Sequence, residues 1–473
     1  MIDGLKPYPA YKNSGVPWLG EVPEHWELKR GKWLFRHRKE INTQRTHTNI
    51  LSLTLRGVVN NDPDDPEGLV PKDYATYQFF AKGDLVFKLI DLENLRTSRV
   101  GLVHEDGIMS SAYVRLVPNH SGVQRFFFHQ YFDLYQRGIF NQLGAGVRST
   151  LGPSDLLNVG ILVPSGDEQS AMVRFLDHVD RRIRRYIGAK KKLIGLLNER
   201  KQAIIHRAVT RGLEPNVRLK LSGLTWTEQI PEHWSISRLG RLTSRIGDGL
   251  HGTPQYVDAS PYHFINGNNL SSGKVQITQS TRCVSEDEYE KHKIYLDETT
   301  LLLSINGTIG SVAYYDGELI ILGKSAAYIN CGDKLSRRYL FFLLQSPEVG
   351  NLFRREATGT TILNLSLESV RHLPTLLPLL KEQSEIVSFL ERRTSQLCEL
   401  ILKAEHEIEL LREYRTRLIA DVVTGKLDVR EAAARLPEEA DEPEPLEDAD
   451  ALAEGNEEGE GAALDAAPEE AEA

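Results

Sequence analysis

The chain has 473 residues, 40% of them apolar and 26% charged, enough for two or three domains, each with its own core, so a single compact core is not expected. Its three cysteines, Cys283, Cys331 and Cys398, form no CxxC pair, which argues against a disulfide framework or a metal site, and no stretch approaches the roughly eighteen apolar residues of a membrane span. The net charge of -9 is unevenly placed: residues 436–473 hold 16 Asp and Glu and no Lys or Arg, so the preceding 435 residues carry +7.

In chain order, residues 1–17 form an N-terminal segment with no secretory leader, which predicts a cytoplasmic protein. Residues 18–164 follow as a first domain, in which short apolar runs (Leu85–Phe87, Tyr113–Leu116) are broken by Gly, Asn and Asp clusters. The pattern predicts a loop-rich α/β (α+β) fold with a helix near Arg125–Gln136. Residues 165–212 predict a long helix: Ser165-Gly-Asp-Glu168 reads as a capping box, and Leu176, Val179, Ile183, Ile187, Ile194, Leu197, Ile204 and Ala208 recur at helical spacing. At 1.5 Å per residue a 40-residue helix spans roughly 60 Å, longer than one such domain needs.

The order then repeats. After a linker at 213–225 comes a second domain, 226–378, with strand-like runs Leu301–Ile305 and Leu319–Leu322 and a helix near Arg337–Gln345. A second long helix occupies 379–429, and the acidic tail, 430–473, is too poor in bulky apolar residues to order itself. Trp18…Pro23-Glu-His-Trp26 matches Trp226…Pro231-Glu-His-Trp234, and Glu168-Gln-Ser170 matches Glu382-Gln-Ser384. Thr210-Arg-Gly-Leu213 likewise matches Thr424-Gly-Lys-Leu427. Leu397, Ile401, Ile408, Leu411, Leu418 and Val422 stand 214 residues after Ile183, Ile187, Ile194, Leu197, Ile204 and Ala208, so the two stripes are expected to bury against each other. A repeat of this length is a duplicated domain pair, with Trp26, Trp234, Ile183, Leu197, Ile204, Leu397, Leu411 and Leu418 as its packing residues.

No catalytic signature emerges: there is no Walker A run, no amino-methyltransferase tetrapeptide and no metal-ligand spacing, and His25 and His233 read as structural residues at the start of each domain. The polar inventory instead suits nucleic acid. Arg36, Arg38, Lys39, Lys88, Arg96, Arg99 and Arg148 offer phosphate or guanine contacts in the first domain. In the second, the Asp248-Gly-Leu-His251-Gly-Thr253-Pro254, Asn266-Gly-Asn268-Asn269 and Ser304-Ile-Asn306-Gly-Thr308 loops, with Lys324, present side chains that pair with base edges.

In these features the chain from Tyr8 to Val429 resembles the specificity subunit of type I restriction-modification systems: the PEHW starts, the paired Glu-Gln-led helices, the Thr-Gly-Lys-Leu type ends and the GDGLHGTP and INGTIG stretches, all in order and in duplicate. The resemblance implies a non-catalytic subunit whose two target-recognition domains each read one half of a bipartite site on double-stranded DNA, separated by two long antiparallel coiled-coil helices in a pseudo-twofold repeat. It further implies two methyltransferase subunits and restriction subunits as partners, with S-adenosylmethionine and ATP on those partners and no cofactor in this chain. The first domain departs from the pattern at Lys88–Val100, a longer charged insertion than its counterpart Ser304–Gly310. A structural adaptor that clamps proteins through its helices without reading bases is the alternative.

Overall fold

The computed structural model describes residues 5–54, 57–62, 71, 73–89, 99–120, 122, 124–143, 151–359 and 362–437. The chain divides into two compact units, one comprising Met1–Lys191 with His406–Ala473 and the other Lys192–Glu405. The division falls inside the long helices, Gly166–Arg211 and Leu380–Val423. Each unit therefore holds one loop-rich body and half of each helix.

The body of the first unit is organised by an antiparallel sheet of β1 (Phe35–His37), β2 (Leu85–Lys88), β3 (Arg99–Leu102) and β4 (Val114–Pro118), in the order β1-β4-β2-β3. Leu85-Val-Phe87 is a continuous apolar run because both faces of β2 are covered. Phe87 meets Tyr131 of the helix Gln124–Gln136 edge-on, and Val86 packs with Leu51, Leu53 and Val103 on the other side. Gly83, at φ +90, turns the chain into β2, and Asp84 closes that turn by accepting from the Ala81 N–H at 2.8 Å. Asp84 also accepts from Arg115 Nε at 2.6 Å, each side chain only 3% exposed. Burial raises the Asp84 pKa, and the turn N–H and Arg115 work against it.

The second unit repeats the sheet as β5 (Thr243–Asp248), β6 (Thr300–Ser304), β7 (Val312–Tyr314) and β8 (Ala326–Cys331), again antiparallel and in the matching order β5-β8-β6-β7. It adds a second sheet in which Tyr262–Ile265 lies parallel to Ile320–Leu322. In both units a two-stranded pair closes the body beside the helix start: Glu27–Arg30 with Gly160–Val163, and Ser235–Arg238 with Pro374–Leu377.

The motif repeat has a physical cause in the joint between body and helices. Ser165 Oγ accepts from the Glu168 N–H at 3.3 Å, and the Glu168 carboxylate reaches back to the Ser165 N–H and hydroxyl, capping the first long helix. The same carboxylate accepts from His25 Nε2 at 2.9 Å. Burial alone would raise the Glu168 pKa, but the bonds from His25 and Ser165 outweigh it and hold the carboxyl below its ordinary range. Trp26, fully buried, packs at the end of the other long helix, where Gly425 sits at φ +79. A Cβ there would lie 2.4 Å from Pro23 Cδ and 3.0 Å from Trp26 Cζ3, so only glycine fits.

The second unit builds its own joint. His233 and the Trp234 indole each donate to Glu382 at 2.9 Å, and Gly212 at φ +69 lies against Trp234. PEHW, the Glu at one helix start and the Gly at the other helix end thus meet in each unit, which requires the two helices to run antiparallel there. Within the first unit, Asp180 pairs with Arg415 and Lys190 with Glu407, the order an antiparallel pair demands. Ile183, Leu397 and Leu418 are buried, while Leu197, Ile204 and Leu411 are half-buried; in the last turns of the first helix the deepest apolar positions are Ile205, Ala208 and Val209.

Residues 6–11 and 425–430 meet in the first unit. Asp428 bridges to Lys6, Tyr11 Oη donates to the Gly425 carbonyl at 3.1 Å, and the Arg430 guanidinium lies over the Tyr8 ring. Among the described residues no helix is long and apolar enough to cross a membrane.

Candidate nucleic-acid interface

In the second unit β8 runs antiparallel to both β5 and β6, so the ends of β5 and β6 and the start of β8 meet at one edge of the sheet. A cleft of about 280 Å³ opens there, lined by Asp248, His251, Asn306, Lys324, Asn364 and Ser366, with Ile305 and Leu365 buried at its floor. The glycines of the Gly247-Asp-Gly249 stretch press this loop against its neighbours. A Cβ on Gly249 would sit 2.0 Å from the Leu322 carbonyl oxygen, and one on Gly247 2.6 Å from Tyr328 Oη. That close approach carries Asp248 and His251 to the cleft, where His251 Nε2 donates to Asp248 Oδ2 at 2.8 Å.

The far wall comes from a distant part of the chain. The Leu365 N–H donates to the Ile305 carbonyl at 2.7 Å and Asn364 bridges to Asn306, bringing Asn364 and Ser366 beside the loop after β6. Lys324, exposed in the turn before β8, makes no ion pair among the described residues.

Three of the second-domain residues singled out from sequence, His251, Asn306 and Lys324, meet in this cleft. Thr253 is exposed on the same loop outside the lining. Asn268 is exposed on the turn Gly267–Asn269, and Asn269 is committed to that turn: its Oδ1 accepts from the Asn266 N–H at 3.0 Å and its Nδ2 donates to the Gln276 carbonyl. Asp248 as a lining group, Asn364 and Ser366 escaped the sequence reading. Asp248 lay within a quoted motif, whereas Asn364 has no local signal, because only the pairing with Asn306 brings it in.

The corresponding sheet edge of the first unit carries Arg38 and Lys39 after β1 and Lys88 at the end of β2, opposite Arg99 in β3. Arg38 pairs with Glu40 at 3.0 Å, and Arg36 and Lys39 are exposed. Burial, then Lys39, holds the His37 pKa below its ordinary value, favouring the neutral ring. Arg96 and Arg148 lie outside the described residues. Among the described residues no group of three or more His, Cys, Asp or Glu is placed to hold a metal ion.

Comparison with known proteins agrees with this architecture. The family model described as "Type I restriction modification DNA specificity domain" matches residues 56–193 and 257–410, more than half of the chain. A putative type I restriction enzyme MjaX specificity subunit of Methanocaldococcus jannaschii is 22% identical over 441 residues, covering 87% of this chain and 96% of that protein. The type I restriction enzyme MjaVIII specificity subunit of the same organism is 22% identical over 333 residues, covering 68% and 75%. A chain solved in work on complex assembly and conformational transition of the type I R-M system superimposes with a TM-score of 0.59 at 16% identity, over 85% of this chain and 98% of its own length, a likeness of fold. With two matched copies of the domain and a repeated body-and-helix plan, the chain belongs to the type I restriction-modification DNA specificity subunits.

Proposed function

We propose that this chain reads a bipartite sequence on double-stranded DNA for a type I restriction-modification complex, each unit taking one half-site and performing no chemistry itself. The observation that carries this reading is the repeated joint, His25 and Glu168 in one unit and His233 and Glu382 in the other, which ties the start of each body to the start of a long helix. Two readers held by a pseudo-twofold pair of coiled-coil helices would be kept at a fixed spacing and rotational phase, and readers one or more helical turns apart, roughly 34 Å or a multiple of it, address the same face of the duplex.

The helices also serve as the docking surface for two methyltransferase subunits, which would carry S-adenosylmethionine, flip the target adenine and methylate it. Exposed Leu193 and Leu196 on the first helix and Leu400, Leu402 and Leu410 on the second are the kind of surface a protein partner covers. Restriction subunits with ATP complete the assembly.

The test is co-expression with the cognate methyltransferase subunit and single-molecule sequencing of the host DNA. A two-part methylated motif with a fixed unread gap is expected. Unmodified DNA from an assembled, S-adenosylmethionine-competent complex would return the chain to the adaptor reading.

A further inference from the structure

The cleft of the second unit holds a cation and an anion that do not neutralise each other. Lys324 and Asp248 both line it, yet no ion pair joins them, and Asp248 Oδ2 is instead taken by His251 at 2.8 Å. The aspartate instead bonds an exposed histidine three residues on, and Lys324 is exposed. The floor is apolar, from Ile305 and Leu365, and the rim adds the amides of Asn306 and Asn364. Such a cleft suits a flat ligand edge that offers acceptors to the ammonium and, beside them, a donor to the carboxylate.

In the major groove a G·C pair presents that order: guanine N7 and O6 accept side by side, and the cytosine N4 amine donates next to them. An A·T pair places the adenine amine between its two acceptors, so an ammonium there reaches one acceptor at a time, whereas guanine offers it N7 and O6 together.

Resting on the reading of the chain as a DNA specificity subunit, we propose that the Asp248/His251/Lys324 cleft reads one G·C base pair of the second unit's half-site, with Lys324 donating to the guanine edge and Asp248, oriented by His251, accepting from cytosine N4. His251 is then a positioning residue, and Lys324 and Asp248 set the specificity.

The experiment uses the full chain in complex with its methyltransferase partner and measures methylation, and binding over a range of salt concentrations, across a duplex library randomised at every position of the wild-type motif. Lys324→Met and Asp248→Asn are each expected to relax discrimination about 10- to 100-fold at the same single G·C pair. The half-site read by the first unit should be unchanged, which serves as the folding control within the same molecule. His251→Ala should relax that same pair more weakly. Two results overturn the proposal: relaxation at an A·T position, or a uniform loss of affinity across all sequences with a salt dependence shallower by about one phosphate contact, which marks Lys324 as a backbone contact. A wild-type complex with no sequence preference would overturn the underlying reading as well.

Discussion

Replacing Gly425 by alanine probes the joint of the first unit at its tightest point. The new Cβ would lie 2.4 and 2.6 Å from Pro23 and 3.0 Å from Trp26, at a backbone φ of +79. Holding a residue with a Cβ in the left-handed region costs roughly 1–2 kcal/mol, and forcing a methyl into a packed contact adds about 1–3 kcal/mol, for a total of about 2–5 kcal/mol. Gly15, in the same unit at φ +72 with nothing within 4 Å of its Cβ position, isolates the backbone term, so Gly15→Ala should lose only about 1–2 kcal/mol. Gly212→Ala, where the nearest atoms are 3.2 Å (Glu382 Oε1) and 3.3 Å (Trp234 Cζ2) away, should fall between them. Hydrogen exchange read by mass spectrometry, peptide by peptide, reports the opening free energy of each joint separately, which suits a chain of two compact units better than a single melting curve. If Gly425→Ala proves no more damaging than Gly15→Ala, the joint is not the tight contact argued above.

His129, buried on the helix Gln124–Gln136 with neither ring nitrogen hydrogen-bonded among the described residues, has its pKa pushed down to about 3, chiefly by burial and then by Arg125 and Arg415. The unfolded chain then binds a proton that the fold refuses, so stability falls as pH drops below about 6.5, by roughly 2 kcal/mol at pH 5; His129→Leu should flatten that slope in unfolding measurements against pH. Arg115→Met leaves Asp84 buried without its guanidinium and should lower the opening free energy of the β2–β4 region by about 3–5 kcal/mol, whereas an effect under about 1 kcal/mol would mean the pair is not desolvated in solution. Inserting four residues after Lys190 together with four before Glu407 lengthens both paired helices by about 6 Å. The methylated motif should then gain about two base pairs of gap with both half-sites unaltered, and changed half-site bases would refute the spacing role.

Much of this protein is set by local sequence. The capping box at Ser165–Glu168, the apolar stripes of the long helices, the glycines that end them and the buried run Leu85–Phe87 are read from neighbours a few residues apart, because helix caps, helical periodicity and strand burial are local physics. The duplication was legible for the same reason: PEHW, Glu-Gln-Ser and the terminal glycines recur in order. What the sequence could not supply is why those three motifs recur together, since His25 and Glu168 stand 143 residues apart and Gly425 meets Trp26 only through the fold. The cleft follows the same division. His251, Asn306 and Lys324 could be singled out as polar groups on glycine-supported loops, but the wall formed by Asn364 and Ser366 depends on a backbone pairing across 58 residues. The fate of Asn269 depended likewise on the turn that absorbed its amide. Tertiary structure alone decides which polar side chains are used up by the fold and which remain free to meet a ligand, because hydrogen-bond capacity is settled by partners in space and not by residue type.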